Sequence, residues 1–165
     1  MMRPHGLGPH AMNEAFLRRA IELALASVDD GGGPFGAVIV RGGRVIAEGA
    51  NRVVTAADPT AHAEIEAIRA AARALGTHDL AGCELYASAE PCPMCAGAIH
   101  WARLDRLFFA AAREDAARAG FDDAQLFREL ALPPERRAVP ALQALPGEGR
   151  APFDAWRARG DRVPY

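Results

Sequence analysis

CELYASAEPCPMCAGAIHWARLDRLFFAAA, residues 83–112, decides how the chain is built. Its ends, CELYAS (83–88) and LDRLFFAAA (104–112), are short apolar runs that read as strands. Between them PMCAGAIHWAR (93–103) reads as a helix opened by Pro93, because proline at a first-turn position loses no hydrogen bond the helix needs. Strand, helix and strand in that order predict a parallel section of sheet with the helix packed on one face. The same stretch holds Cys92 and Cys95, three positions apart at the head of that helix. A lone C-x-x-C fits a redox pair, half of a structural metal cage, or part of a catalytic metal site.

Upstream, ADPTAHAEIEAIRAAARALGTH (57–78) is an alanine-rich helix former, with Asp58 and Thr60 as expected caps and Gly76 as the stop. Before it, FGAVIV (35–40) and RVIAEGAN (44–51) read as two antiparallel strands joined across Arg41-Gly42-Gly43. From Asn13 the residues Phe16, Leu17, Ala20, Ile21, Ala24, Leu25 and Val28 recur at three- and four-residue spacing, which is one face of a helix. DDGGGP (29–34) ends that helix. The order α-β-β-α-β-α-β makes this an α/β protein with helices on both faces of a sheet.

Beyond Ala112 the periodicity weakens. Residues 113–131 have room for one or two short helices around Gly120. Prolines at 133, 134, 140 and 146 make 133–147 irregular. PGEGRAP (146–152) reads as a hinge, and FDAWRAR (153–159) as a helical turn or two that needs docking to persist. Three parts are expected: a disordered Gly/Pro-rich leader (1–12), a domain over 13–145, and a C-terminal segment over 146–165.

The chain has 165 residues, the size of one domain, and a formal net charge of −2. Its 19 cationic side chains are all arginine. The balance is a poor match for a nucleic-acid polyanion, so no nucleic-acid partner is expected. Three cysteines do not make a disulfide scaffold, and no apolar run approaches a membrane span. The expectation is a cytoplasmic protein.

Thirty residues before the cysteines stands His62-Ala63-Glu64, at the start of the second helix. His62, Cys92 and Cys95 are one nitrogen and two sulfurs, a donor set suited to zinc. Helix N-termini favour thiolates, and residues i and i+3 share a face, so both sulfurs can reach one ion. Three protein ligands leave a fourth position for water, the mark of a catalytic zinc. Glu64 is placed to move protons beside the ion without binding it. H-x-E followed by P-C-x-x-C is the pattern of zinc nucleobase deaminases. A structural zinc would need a fourth ligand, for which Cys83 or His100 stand as candidates; a redox pair would have no use for H-x-E.

PTAHAE, EPCPMCAGAI, FFAAAREDAARAGFDD and the terminal APFDAWRARGDRVPY resemble bacterial guanine deaminases of the cytidine-deaminase superfamily, over residues 13 to the end. That resemblance implies a three-layer α/β/α fold around a mixed five-stranded sheet, one zinc ion per chain, and hydrolysis of guanine to xanthine and ammonia. It also implies a homodimer whose C-terminal segment crosses to complete the partner's site. By the same resemblance His62, Cys92 and Cys95 are zinc ligands and Glu64 is the proton shuttle. Phe35, Asn51, Trp101 and Asp123 hold or line the purine, and Ala63 joins the substrate-contacting positions. Glu148 is a second acidic residue near the site, and Tyr165 reaches into the neighbouring subunit. Each purine-lining residue also has a plainer use: Asp123 as a helix cap, Asn51 as a turn residue, Phe35 and Trp101 as core, Glu148 as a solvated loop residue. Three other functions stay open: a tRNA adenosine deaminase, a deaminase of cytosine or ammeline, and a non-catalytic zinc-binding module.

Overall fold

The structure, a computed structural model, describes residues 12–164. All but the last residue of the expected leader lies outside that range, and so does Tyr165. The chain divides into two compact units, the break falling after Asp123.

The first unit opens with α1, Glu14–Asp29, capped by the Asn13 side chain, which accepts a hydrogen bond from the Ala15 N–H at 3.0 Å. β1 (Gly36–Arg41) and β2 (Arg44–Ala50) form a hairpin. Its two turn residues, Gly42 and Gly43, both have positive φ, the combination that matches the strand twist and that glycine adopts without cost. Then follow α2 (Ala63–Leu75), β3 (Cys83–Ala89), α3 (Pro93–Trp101), β4 (Arg106–Ala111) and a short α4 (Arg113–Arg118).

The strands lie in the order β2-β1-β3-β4, with β1 antiparallel to both neighbours and β3 parallel to β4. The sheet is therefore mixed, as expected, but it has four strands among the described residues, not five. The chain leaving β4 explains the difference. REDAAR (113–118) and AQLFREL (124–130) contain no β-branched residue and no two-residue alternation, and both are helical instead.

Alternation along the strands builds a core on each face. Val38, Val40 and Tyr86 meet Ala20 of α1 on one side. Ala37, Ile39, Cys83 and Leu85 meet Ala63, Ala67 and Ala71 of α2 on the other. This is the three-layer α/β/α arrangement. The face of α1 is narrower than its apolar stripe. Ala20 and Ala24 are buried, while Ile21, Leu25 and Val28 are exposed and line a shallow apolar groove with Pro34, Ala110 and Ala111. A Cβ on Gly36 would stand 2.2 Å from the Ala20 carbonyl oxygen, so α1 lies directly on β1 at Ala20, with Phe16, Leu17 and Leu23 packed part-buried around that contact.

The same device seats α2. A Cβ on Gly49 would lie 2.2 Å from the Ala63 carbonyl oxygen and 2.5 Å from the Ala67 nitrogen. The first turn of α2 thus presses directly on the backbone of β2.

Because β1 runs against the other three strands, its N-terminus and the C-termini of β2, β3 and β4 share one edge of the sheet. The segments at that edge carry Phe35, Asn51, His62 and Cys92, with Arg113 opening α4 and Asp123 in the loop that follows it.

The second unit, Ala124–Tyr165, contains α5 (Ala124–Leu130), two single 3-10 turns (Pro134–Arg136 and Glu148–Arg150) and α6 (Ala151–Ala158). None of its described residues is buried, and Leu130, Leu142, Phe153 and Trp156 are among its exposed apolar side chains.

Gly49→Val should lower stability by about 1–3 kcal/mol, the usual cost of overpacking, and should weaken metal binding with it, since the displaced turn carries His62. Urea unfolding and metal titration read the two effects. A variant with the wild-type midpoint and affinity would show that the start of α2 does not depend on this contact.

Candidate metal centre and active site

Two helix N-termini converge at the shared edge. His62 is the N-cap of α2 and Cys92 the N-cap of α3, with Cys95 in the first turn of α3. The expected cap of α2 lies elsewhere: Asp58 accepts hydrogen bonds from the Thr60 N–H (2.8 Å) and hydroxyl (2.7 Å) and closes a turn within the loop. α2 therefore begins at Ala63, and the cap position falls to a histidine that makes no side-chain capping bond. Capping is given up for placement of an imidazole.

His62 Nδ1 lies 3.6 Å from the sulfur of Cys92 and 3.6 Å from that of Cys95. Zinc–nitrogen bonds of about 2.05 Å and zinc–sulfur bonds of about 2.3 Å, at a tetrahedral angle, separate the two atom types by about 3.6 Å. The three donors fit one zinc ion, and they lie within 4.8 Å of one another. No fourth His, Cys, Asp or Glu of the described residues joins them. Cys83 is buried in the core beneath α2, and His100 is exposed near the far end of α3. All three cysteines are unpaired.

The electrostatics fit a cation. The Cys92 thiol is drawn down to about 4, chiefly by the hydrogen bond from the Cys95 thiol and also by His62. Cys95 is pushed up because it holds its proton against the Cys92 sulfur and is itself buried. Two sulfurs sharing one proton at paired helix N-termini are a place where a divalent cation substitutes for that proton. His62 is raised, mainly by its hydrogen bond to Cys92.

Glu64 is 6 % exposed, and its Oε2 lies 3.5 Å from the Cys95 sulfur. Burial raises its pKa above the ordinary carboxylate value. It stands beside the donor triangle and is not one of the three donors. Ala63, between His62 and Glu64, is fully buried.

Asn51 is also buried. Its Oδ1 accepts from the Gly33 and Val53 N–H groups, at 3.3 Å each, which turns the carboxamide nitrogen away from those amides as a donor. The Asn51 N–H donates to the Phe35 carbonyl at 3.0 Å, so the two residues are fixed side by side. Phe35 packs edge-on against Phe121, ring centroids 5.0 Å apart.

Asp123 is brought in by the loop after α4. Its Oδ1 is buried without a hydrogen bond, and the nearest opposite charge is Arg113 Nε at 3.5 Å. Burial pushes this carboxyl up, Arg113 pulls it back, and the Cys92 sulfur adds to the upward push. Arg113 Nη2 also donates to Glu90 Oε1 at 2.7 Å.

Trp101 is not gathered with these groups. It ends α3, six residues past Cys95 or about 9 Å along the helix axis, and is 63 % exposed. Glu148 opens a 3-10 turn in the second unit and is exposed. Three site neighbours escaped the sequence reading: Glu90, Arg113 and Phe121. No local signal marks Glu90 and Arg113 as a pair: the parallel register Ala89↔Ala111 brings the segments beyond the two strands together, and these carry opposite charge.

Residues 11–111 match the cytidine and deoxycytidylate deaminase zinc-binding region. The chain is 52% identical over 154 residues to the guanine deaminase of Bacillus subtilis (strain 168), covering 93% of this chain and 99% of the relative. The X-ray structure of a B. subtilis guanine deaminase superposes with a TM-score of 0.91, at 51% identity, over 94% of this chain and 99% of the other. A guanine deaminase structure from Nitrosomonas europaea gives a TM-score of 0.66 at 38% identity, over 74% of this chain and 78% of that one. The tRNA-specific adenosine deaminase of Aquifex aeolicus (strain VF5) is 44% identical over 98 residues, covering 59% of this chain and 65% of the relative. From the imidazole and paired sulfurs at two helix heads to this breadth of likeness, the chain belongs to the cytidine and deoxycytidylate deaminase family of zinc-binding domains.

Proposed function

We propose that the chain hydrolyses guanine to xanthine and ammonia in purine breakdown or salvage. The observation that carries this is the reach of the likeness. It extends through nearly the whole chain for the Bacillus guanine deaminase, but spans 59% of the chain for the Aquifex tRNA-specific adenosine deaminase. The net charge of −2 is also unfavourable for gripping a tRNA stem.

One zinc ion held by His62, Cys92 and Cys95 would supply a water molecule acidified to a pKa near 7. The remaining tasks belong to side chains. Glu64 takes one proton of the attacking water and passes it to the ring nitrogen beside C2; it then takes the proton of the hydroxyl group added at C2 and delivers it to the amine, so that the C2–N bond breaks with loss of ammonia and a C2 carbonyl remains. Its burial shifts it toward its protonated form, the direction that helps a carboxyl which both accepts and delivers protons. Asn51 donates from its carboxamide nitrogen to a purine acceptor. Asp123 accepts a ring N–H of guanine. Free adenine has no N–H on its six-membered ring and would leave the Asp123 carboxylate unpaired, at a cost of about 1–3 kcal/mol or more. Phe35, with Ala63, lines the base. Glu148 and Trp101 stay in the proposal as residues that meet the site from elsewhere in a dimer.

The second unit fits the same reading. About forty residues without a buried side chain do not hold a fold of their own, and the exposed Phe153 and Trp156 call for a surface to cover. We place that surface on a second copy, with the C-terminal segment through Tyr165 exchanged between subunits of a homodimer. Cys92 and Cys95 must stay reduced to bind metal, which suits the cytoplasm.

Ammonia release from guanine, adenine, adenosine, cytosine and ammeline by the purified zinc-loaded protein tests the assignment. Guanine should be the preferred base by at least about 100-fold in kcat/KM, the scale on which an unpaired site group discriminates. Release from another base with none from guanine would move the protein elsewhere in its family. Glu64→Gln should retain one zinc per chain and lose about 100- to 10,000-fold in kcat; full turnover in that variant would remove the proposed proton path. Deleting residues 152–165 should abolish turnover while leaving zinc content near one per chain. Normal turnover in the truncated protein would separate the tail from the site.

A further inference from the structure

The Arg113 guanidinium spans two acidic groups on different segments. Nη2 donates to Glu90 Oε1 at 2.7 Å, and the Arg113 backbone N–H approaches Glu90 Oε2 at 3.3 Å. Nε faces Asp123 Oδ1 at 3.5 Å. Glu90 is itself pinned, because its N–H donates to the Ala111 carbonyl at 2.9 Å where β3 and β4 end. It directly precedes the Pro91-Cys92 step into the metal helix. All three side chains are two-thirds or more covered.

The two contacts differ in kind. The bond to Glu90 is short and charge-assisted, and it anchors the guanidinium to the sheet. The contact to Asp123 is an ion pair too long for a hydrogen bond. It steers the carboxylate by charge and leaves Oδ1 without a hydrogen-bond donor. A loop residue is thereby tethered to a rigid strand end while an acceptor stays open for a ligand.

We propose that Arg113, braced by Glu90, is the positioning residue that aims Asp123 at the substrate and sets selectivity for a base with a ring N–H donor. This rests on the reading of Asp123 as a guanine contact. Arg113 touches no reacting atom; it acts through Asp123.

The test is a double-mutant cycle on the zinc-loaded protein with Arg113→Ala, Asp123→Asn and the pair, assayed with guanine and with 2-aminopurine, which lacks the N1–H donor. Arg113→Ala should raise KM for guanine about 10-fold or more with a smaller change in kcat, and should narrow the preference for guanine over 2-aminopurine. The double variant should be no worse than Asp123→Asn alone, because Arg113 has no target once the carboxylate is gone. Arg113→Lys should recover part of the loss, since one ammonium cannot span both carboxylates in the guanidinium's geometry. Zinc content and thermal midpoint, measured on every variant, should stay near wild type. Additive losses in the cycle, equal losses on both bases, or a wild-type KM in Arg113→Ala beside an impaired Asp123→Asn would overturn the role of Arg113 alone. An Asp123→Asn variant with wild-type guanine kinetics would overturn the substrate reading of Asp123, and this inference with it.

Discussion

Three atoms 3.6 Å apart from one another in two pairs, the nitrogen of His62 with each sulfur of Cys92 and Cys95, are the constraint around which the rest is arranged. Neither helix could supply this set alone. α3 brings two sulfurs to one side of its first turn, and the nitrogen comes from a different helix thirty residues earlier. Their meeting depends on how closely α2 lies on the sheet, and Gly49 governs that distance by having no side chain where the Ala63 carbonyl sits. Both helices also point their positive ends at the same place, so the fold favours negative charge there before any ion binds.

Two carboxyl groups flank this centre, and their surroundings divide them. Glu64 is buried, and desolvation favours its protonated form. Asp123 is likewise pushed up by burial, but an arginine opposes the push. Burial raises both, and they differ in their neighbours: the Cys95 sulfur stands beside Glu64 and the Arg113 guanidinium beside Asp123.

Much of the first unit was legible from pattern. Short apolar runs, the Gly42-Gly43 turn, Pro93 and Gly76 each act through local backbone preferences, and all mark elements that form where expected. The metal donors were legible because their chemistry is rare in combination. Other features depended on distance between segments. The spacing of Ile21, Leu25 and Val28 marked a helix face but not its exposure, because periodicity along a helix does not report where the sheet lies. The fifth strand came from resemblance, and the helical composition of 113–130 argued against it. The site edge itself needed the strand order, which no local signal contains.

By itself the sequence determined the kinds of elements, the donor set and the family, because helix and strand periods, turn chemistry and ligand spacing are short-range properties of consecutive residues. Tertiary structure alone decided that the β1–β2 hairpin joins the sheet with β1 antiparallel beside β3, and so gathers four strand ends, Asn51, His62, Cys92 and Asp123 at one edge. It also decided that Glu90 meets Arg113 and that Arg113 meets Asp123. Those partners are ten to thirty residues apart. Contacts at that range are chosen by the packing of whole faces, which the order of residues along one segment does not specify.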